Sequence, residues 1–165
     1  MAPSVIILAA GKGTRMEADL PKVLHQVGGA PMLLHVLQTT IQIEPKHIIV
    51  VTGHGAEEGE VAAKAYDDTI QVVLQQEQKG TAHAVLQAKA ALTDGRGDAI
   101  VLYGDTPFLR SETLLALSEA RKSADIVVLG FEAADPKRYG RLVMQDDKLV
   151  RIVEYKDANA AERAI

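Results

Sequence analysis

At 165 residues, with 47% hydrophobic and 24% charged residues, the chain has the composition of one soluble globular domain, long enough to close a single core. Its 18 Lys and Arg against 22 Asp and Glu leave a net charge of −4, which argues against nucleic-acid binding through bulk charge, so any anion site is a local cluster. The absence of cysteine removes disulfides and thiolate metal sites; the opening MAPSVIILAAGKG has no basic n-region and too short an apolar run for a signal peptide or membrane span, so a cytoplasmic protein with no membrane partner is expected.

The first apolar run, SVIILAA (4–10), has strand length and ends in a glycine loop. PMLLHVLQTTI (31–41) follows as a helix opened by proline, which favours a first turn. HIIVVT (47–52) is the second strand, and AEEGEVAAKAY (56–66) is a helix weakened by Gly59. A third strand, IQVVLQ (70–75), leads to the helix GTAHAVLQAKAAL (80–92), which stops at Thr93-Asp94-Gly95. DAIVLYG (98–104) is the fourth strand. SETLLALSEARK (111–122) is a helix with Ser111 as its cap and basic residues in its last turn. DIVVLGF (125–131) is the fifth strand. These runs are β-branched and nearly continuous, the pattern of strands covered on both faces. Strand and helix alternate, which predicts an α/β fold with a doubly wound, mostly parallel, Rossmann-like sheet. After Asp135-Pro136 the rhythm changes to a hairpin, RLVMQ (141–145) and LVRIVE (149–154), joined by Asp146-Asp147-Lys148. The tail DANAAERAI is helix-prone. No internal repeat or low-complexity segment appears, and 1–165 reads as most of one domain, stopping before a closing strand.

Ligands in such sheets bind beyond the carboxyl ends of the strands, near the point where strand order reverses. The loop LAAGKGTRMEADLPKVL (8–24) therefore comes first. Gly11 and Gly13 allow close backbone approach to a ligand. A dinucleotide fingerprint fails, because Met16 stands where the third glycine belongs, and the P-loop spacing fails as well. What remains is a glycine loop with Lys12, Arg15 and Lys22, the last presented by Pro21. The two readings are a polyphosphate cradle and a solvated loop diluted by Glu17 and Asp19; the glycines and the strand-end position favour the cradle. Asp105, after a buried run, suits either a hard cation or a cap on the following turn. Gln75 carries both an amide donor and an acceptor, and on the residues alone it reads as a strand-end surface residue. The five histidines, at 25, 35, 47, 54 and 83, show no metal-ligand spacing, and His35 and His83 read as helix residues.

LAAGKGTRM followed by LPKVL resembles the signature of sugar-nucleotide pyrophosphorylases. With VGGAPMLLHV, QQEQKGTAHA (75–84), YGDTP (103–107), YGRLV (139–143) and IVEYKDA (152–158), the chain resembles the uridylyltransferase half of the bifunctional enzymes that make UDP-N-acetylglucosamine from glucosamine 1-phosphate. The resemblance runs in register from Ser4 to the last residue. It implies transfer of uridylyl from UTP to N-acetylglucosamine 1-phosphate with release of pyrophosphate. Leu8, Ala9, Ala10, Gly11, Lys22, Gln75, Gly80, Thr81, Tyr103, Gly104 and Asp105 then correspond to the nucleotide-binding set. Arg15 and Lys22 correspond to the catalytic cations, Asp105 to a ligand of Mg²⁺, and Gly140 and Glu154 to the sugar-phosphate contacts. Ala82 departs from the glycine common in relatives; its methyl is expected to tighten the pocket without abolishing binding.

The resemblance further implies that an asparagine contacting the sugar, a second metal ligand and a trimer-forming β-helix acetyltransferase domain lie beyond Ile165. The expectation for these 165 residues is UTP binding with weak or absent turnover and no acetyl transfer. The alternatives are a pyrophosphorylase for another pair, such as dTTP and glucose 1-phosphate, a non-catalytic UTP-binding module, and a loop that is merely structural.

Overall fold

The structure is a computed structural model that describes residues 2–11, 20–53, 55–92, 97–146 and 148–165. It comprises two compact units, Met1–Asp125 and Ile126–Ile165. Lys12, Gly13, Arg15, His54 and the Thr93-Asp94-Gly95 stop all lie outside the described residues.

The first unit is built on β1 (Ser4–Leu8), β4 (His47–Thr52), β5 (Gln71–Leu74) and β6 (Ala99–Tyr103), in the order β5-β4-β1-β6. Every pairing is parallel, with Ile6 opposite both Ile49 and Val101. Successive side chains of a strand face opposite ways, so each run supplies two apolar surfaces. Val5, Ile7 and Val50 pack with Leu33 and Leu37 of α1 (Met32–Ile41), Ala63 of α2 (Ala56–Tyr66) and Leu114 of α4 (Ser111–Ala120). Ile6, Ile49 and Val51 face the other way, onto Ala84 of α3 (Thr81–Gln87) and Ala88 and Ala91 of the 3₁₀ turn that follows. This is the doubly wound arrangement. The chain leaves β1 toward β4 and β5 and then returns to β6 on the other side, which puts the switch point at the carboxyl ends of β1 and β6.

Several expectations need correction. Coverage on both faces holds for β1 and β4 but fails for β6, where Ile100 and Leu102 are buried while Val101 and Tyr103 are 40% and 52% exposed. Gly59 does not interrupt α2, and it has a packing role: a Cβ there would stand 3.1 Å from Thr52 Cγ2, so the glycine lets the helix lie close on β4. Ser111 is the first helical residue and not the cap; Arg110 occupies the cap position without a side-chain bond, and the basic Arg121 and Lys122 fall in the 3₁₀ turn after α4. A short hairpin absent from the reading, β2 (Gln26–Val27) with β3 (Ala30–Pro31), turns on Gly28 and Gly29 at φ of 60° and 89°. Two consecutive left-handed positions suit a Gly-Gly pair.

In the second unit the hairpin is present as β7 (Arg141–Gln145) and β8 (Lys148–Val153), antiparallel with an irregularity between Val143 and Met144. The tail forms α5 (Ala160–Arg163), closed by a capping box between Asn159 and Glu162. The predicted strand at 125–131 is not one. Its apolar residues join no ladder, since the four-stranded sheet ends at β6 and β7 and β8 pair only with each other. An apolar run becomes a strand only where a neighbour offers its free N–H and C=O groups.

Candidate functional site

A cavity of about 320 Å³ opens at the carboxyl ends of β1, β5 and β6. Leu8, Ala10 and Gly11 line it from the end of β1, Gln75, Gly80 and Thr81 from the β5–α3 connection, and Tyr103 and Asp105 from the end of β6, with Lys22 beside them. These residues, spread over almost a hundred positions of sequence, were all read as nucleotide contacts. Ala9 and Gly104 are not among the lining residues. Both are buried behind the wall, where Ala9 N–H donates to the Val51 carbonyl at 2.8 Å and Gly104 N–H to that of Leu8 at 2.9 Å. A Cβ on Gly104 would stand 3.1 Å from Val23 Cγ1 and 3.2 Å from the Leu8 carbonyl, so this glycine serves packing.

Local sequence holds Lys22 in place. Pro21 is buried with φ fixed at −51°, and Lys22–Leu24 form a single 3₁₀ turn closed by Leu24 N–H on the Pro21 carbonyl at 2.9 Å. Val23 and Leu24 sink into the core. With apolar anchors on both sides, the ammonium has a short arc to sweep. It donates to Asp105 Oδ2 at 2.5 Å, across 83 residues of sequence. Asp105 does not cap its turn; Thr106 does that, its hydroxyl donating to the Tyr103 carbonyl at 2.7 Å. The Asp105 carboxylate is thus directed across the switch point.

Four residues missed by sequence reasoning shape this site. Gln78 donates through Nε2 to the Ala10 carbonyl at 2.7 Å and lines the cavity, tying the β5–α3 connection to the end of β1. His83 receives the amide of Gln75, Nε2 to Nδ1, at 3.0 Å. Gly53 lies under the end of β1, where a Cβ would come within 2.8 Å of the Ala10 carbonyl. Gly55, at φ +68°, faces Pro21, whose Cγ would be 2.1 Å from an added Cβ. The visible signal was a second glycine pair, Gly53 and Gly55, directly after a strand. Gly55→Ala is therefore expected to lose about 1–3 kcal/mol of stability from backbone strain and the clash and to displace Lys22 with Pro21. Urea unfolding of the two proteins checks this, and coincident midpoints would refute it.

In the second unit, Gly140 and Glu154 are neighbours at the open end of the hairpin, with an added Cβ on Gly140 lying 3.9 Å from Glu154 Oε2. Arg141, read from the sequence only as the first residue of a strand, is buried and organises this end. Its guanidinium donates to the carbonyls of Tyr139, Pro136, Lys137 and Arg163, and it lies against the Tyr155 ring.

A parallel, doubly wound sheet with a largely apolar cavity at its switch point, into which a lysine and a carboxylate project, is the arrangement of an α/β domain that takes its ligand at the strand ends. Residues 5–160 match the family described as MobA-like NTP transferase domain, and the chain belongs to that family. The bifunctional protein GlmU of Cereibacter sphaeroides is 60% identical over 162 residues, which cover 98% of this chain and 36% of that protein. The chain thus spans little more than a third of the length of this relative. Among solved structures, HddC from Yersinia pseudotuberculosis superposes with a TM-score of 0.71 at 24% identity, over 92% of this chain and 69% of its own. Rv0371C of Mycobacterium tuberculosis, in complex with manganese, gives 0.61 at 20% identity over 74% and 61%. Both structural likenesses speak to the fold. Among the described residues no helix is long and apolar enough to cross a membrane.

Proposed function

We propose that residues 1–165 form the nucleotide-binding part of an enzyme that transfers uridylyl from UTP to N-acetylglucosamine 1-phosphate, yielding UDP-N-acetylglucosamine and pyrophosphate, with turnover by these residues alone weak. The observation that carries this reading is a single cavity holding an amide edge for a base, at Gln75, together with the Lys22–Asp105 pair. The 60% identity to a GlmU supports it from outside the site. In the reaction, an oxygen of the sugar phosphate forms a bond to the α-phosphorus of UTP as the α–β bridging bond breaks. The attacking phosphate monoester has a second pKa near 6, so at neutral pH it is largely dianionic and needs no general base. Among the described residues no histidine lines the cavity.

The obstacle is repulsion between two anions. Like unit charges 4 Å apart repel by roughly 1 kcal/mol in water and about 4 at an effective dielectric of 20. Lys22 is assigned to the α-phosphate and the incoming sugar phosphate. Arg15, Lys12 and the Gly11 and Gly13 backbone are assigned to the β- and γ-phosphates on the strength of the sequence pattern. Gly140 and Glu154 are assigned to the amino sugar on the same ground.

A divalent cation fits the donor set. Asp105 is the one carboxylate among the residues lining the cavity, and no cluster of three or more acidic or histidine ligands exists among the described residues. One carboxylate completed by substrate phosphates and water suits Mg²⁺ better than a metal that needs a full protein cage. When bound, Mg²⁺ supplies charge neutralisation for the phosphates. The test is a thermal melt with UTP and Mg²⁺. At a hundredfold excess over Kd the expected stabilisation is about 2.7 kcal/mol, a rise of roughly 5–10 °C. Pyrophosphate release should then require both substrates. An unchanged melting curve would overturn the proposal.

A further inference from the structure

We propose that His83 is a positioning residue that decides which base the cavity accepts, by occupying the amide hydrogen of Gln75 that would otherwise point at the ligand. The inference rests on the uridylyl reading and concerns the base end of the same site.

Gln75 is buried, at 4% exposure, and its main-chain N–H extends the sheet by donating to the Thr52 carbonyl at 2.7 Å. Its side-chain amide has two hydrogens and one carbonyl oxygen to place. Nε2 lies 3.2 Å from the Gly80 carbonyl, an obligate acceptor, so this contact alone fixes which end of the amide is nitrogen. The second hydrogen goes to His83 Nδ1 at 3.0 Å. With both hydrogens taken, only the carbonyl oxygen of Gln75 remains for a ligand in the cavity it lines. The amide therefore does not offer a donor and an acceptor together, as its chemistry alone suggested.

The same arithmetic sets the histidine. To accept at Nδ1, a neutral imidazole carries its proton on Nε2. Gln87 Nε2, which donates to the His83 main-chain carbonyl at 2.9 Å, also lies 3.4 Å from His83 Nε2; the shorter contact, from the Gln75 nitrogen to Nδ1 at 3.0 Å, sets the tautomer. His83 sits in the first turn of α3, two residues after Thr81, so the helix that begins at the cavity also holds the group that tunes it. A carbonyl set against ring position 3 pairs with the N3–H of uracil. Against cytosine it meets the N3 lone pair. A free amide hydrogen in the same place would pair with cytosine, and His83 removes it.

The experiment compares UTP and CTP affinities, each with Mg²⁺, for the wild type, His83→Phe and His83→Asn. Phenylalanine keeps a ring but has no acceptor; asparagine places Oδ1 at the same bond distance as Nδ1. The wild type is expected to prefer UTP, His83→Phe to lose roughly three- to tenfold of that preference, the worth of one hydrogen bond, and His83→Asn to retain it. A purely structural role would weaken both nucleotides together and leave their ratio unchanged in His83→Phe, which would overturn the inference. So would a wild type that binds the two nucleotides equally, an outcome that leaves nucleotidyl transfer standing. A wild type that binds neither overturns the functional reading and this inference with it. Should His83→Phe fail to fold, nitrogen NMR of the wild-type imidazole decides: a bare Nδ1 supports the assignment, and a protonated Nδ1 refutes it.

Discussion

Lys22→Ala is expected to lower turnover by about 10²- to 10³-fold while changing UTP affinity far less, the usual consequence of removing one preorganised charge from a transition state. The argument begins with how the side chain is held. Buried Pro21 precedes it and buried Val23 and Leu24 follow it, so the folded chain has already met the entropy of presenting this ammonium. UTP brings other phosphates for other donors to hold, so the ground state loses one contact among several. In the transition state, negative charge gathers between the α-phosphorus and the incoming oxygen, where the proposed position of Lys22 has no substitute. Lys22→Arg should recover only part of the loss, because a planar fork does not reproduce a compact charge shared by two phosphates. The folded protein should tolerate either change. Lys22 and Asp105 keep 41% and 30% of their side-chain surface exposed, and an ion pair so placed contributes about 1 kcal/mol or less. Initial rates of pyrophosphate release, set beside melting shifts with UTP alone, separate the two effects. Equal rates in wild type and Lys22→Ala would remove Lys22 from the mechanism.

The four parallel strands were legible because their runs are β-branched, apolar and bounded by turn residues, and each lies within two residues of its expected limits. Local composition does not report whether a run will find a neighbour. DIVVLGF is as good a strand as DAIVLYG on paper, yet only the latter pairs with β1. Nor does it report how closely two elements approach: Gly59 reads as a weak point in a helix until Thr52 is seen beneath it. Ser111 illustrates a different limit, since its cap preference is real but the chain enters the helix one residue earlier.

At the site, the residue types carried more information than their pairings. Asp105 and Lys22 each stood out, one as a strand-end carboxylate and the other as a lysine behind proline. That they meet depends on β1 and β6 being neighbours, which follows from strand order and not from either segment. Gln78 and His83 gave no local signal at all. A glutamine in a polar loop and a histidine in a helix are ordinary until the Ala10 carbonyl and the Gln75 amide appear opposite them. The Gly53–Gly55 pair was visible, but its purpose, seating Ala10 and Pro21, belongs to packing between segments.

Asp105→Asn is expected to bind UTP more tightly than the wild type without magnesium and more weakly with it. In the wild type the carboxylate both neutralises Lys22, at 2.5 Å, and stands close to the position proposed for the triphosphate. Without metal it is a liability twice over, since it repels the phosphates and engages the cation they need. Replacing it with a neutral amide of the same shape removes both penalties, worth roughly 1 kcal/mol at a solvated site, or about fivefold in affinity. With chelator present, Asp105→Asn should therefore bind UTP more tightly than the wild type. Adding Mg²⁺ inverts the order. The wild-type carboxylate then has a divalent partner that leaves Lys22 free for phosphate, whereas the amide is a poorer ligand for a hard cation and gains little. Turnover should fall in the variant by about 10²-fold or more, because the charge that stabilises the reacting phosphates is lost along with its anchor. Titrations with UTP in chelator and in excess Mg²⁺, on both proteins, give four dissociation constants. If magnesium strengthens UTP binding equally in the two, Asp105 does not hold the metal, and its bond to Lys22 is all it contributes.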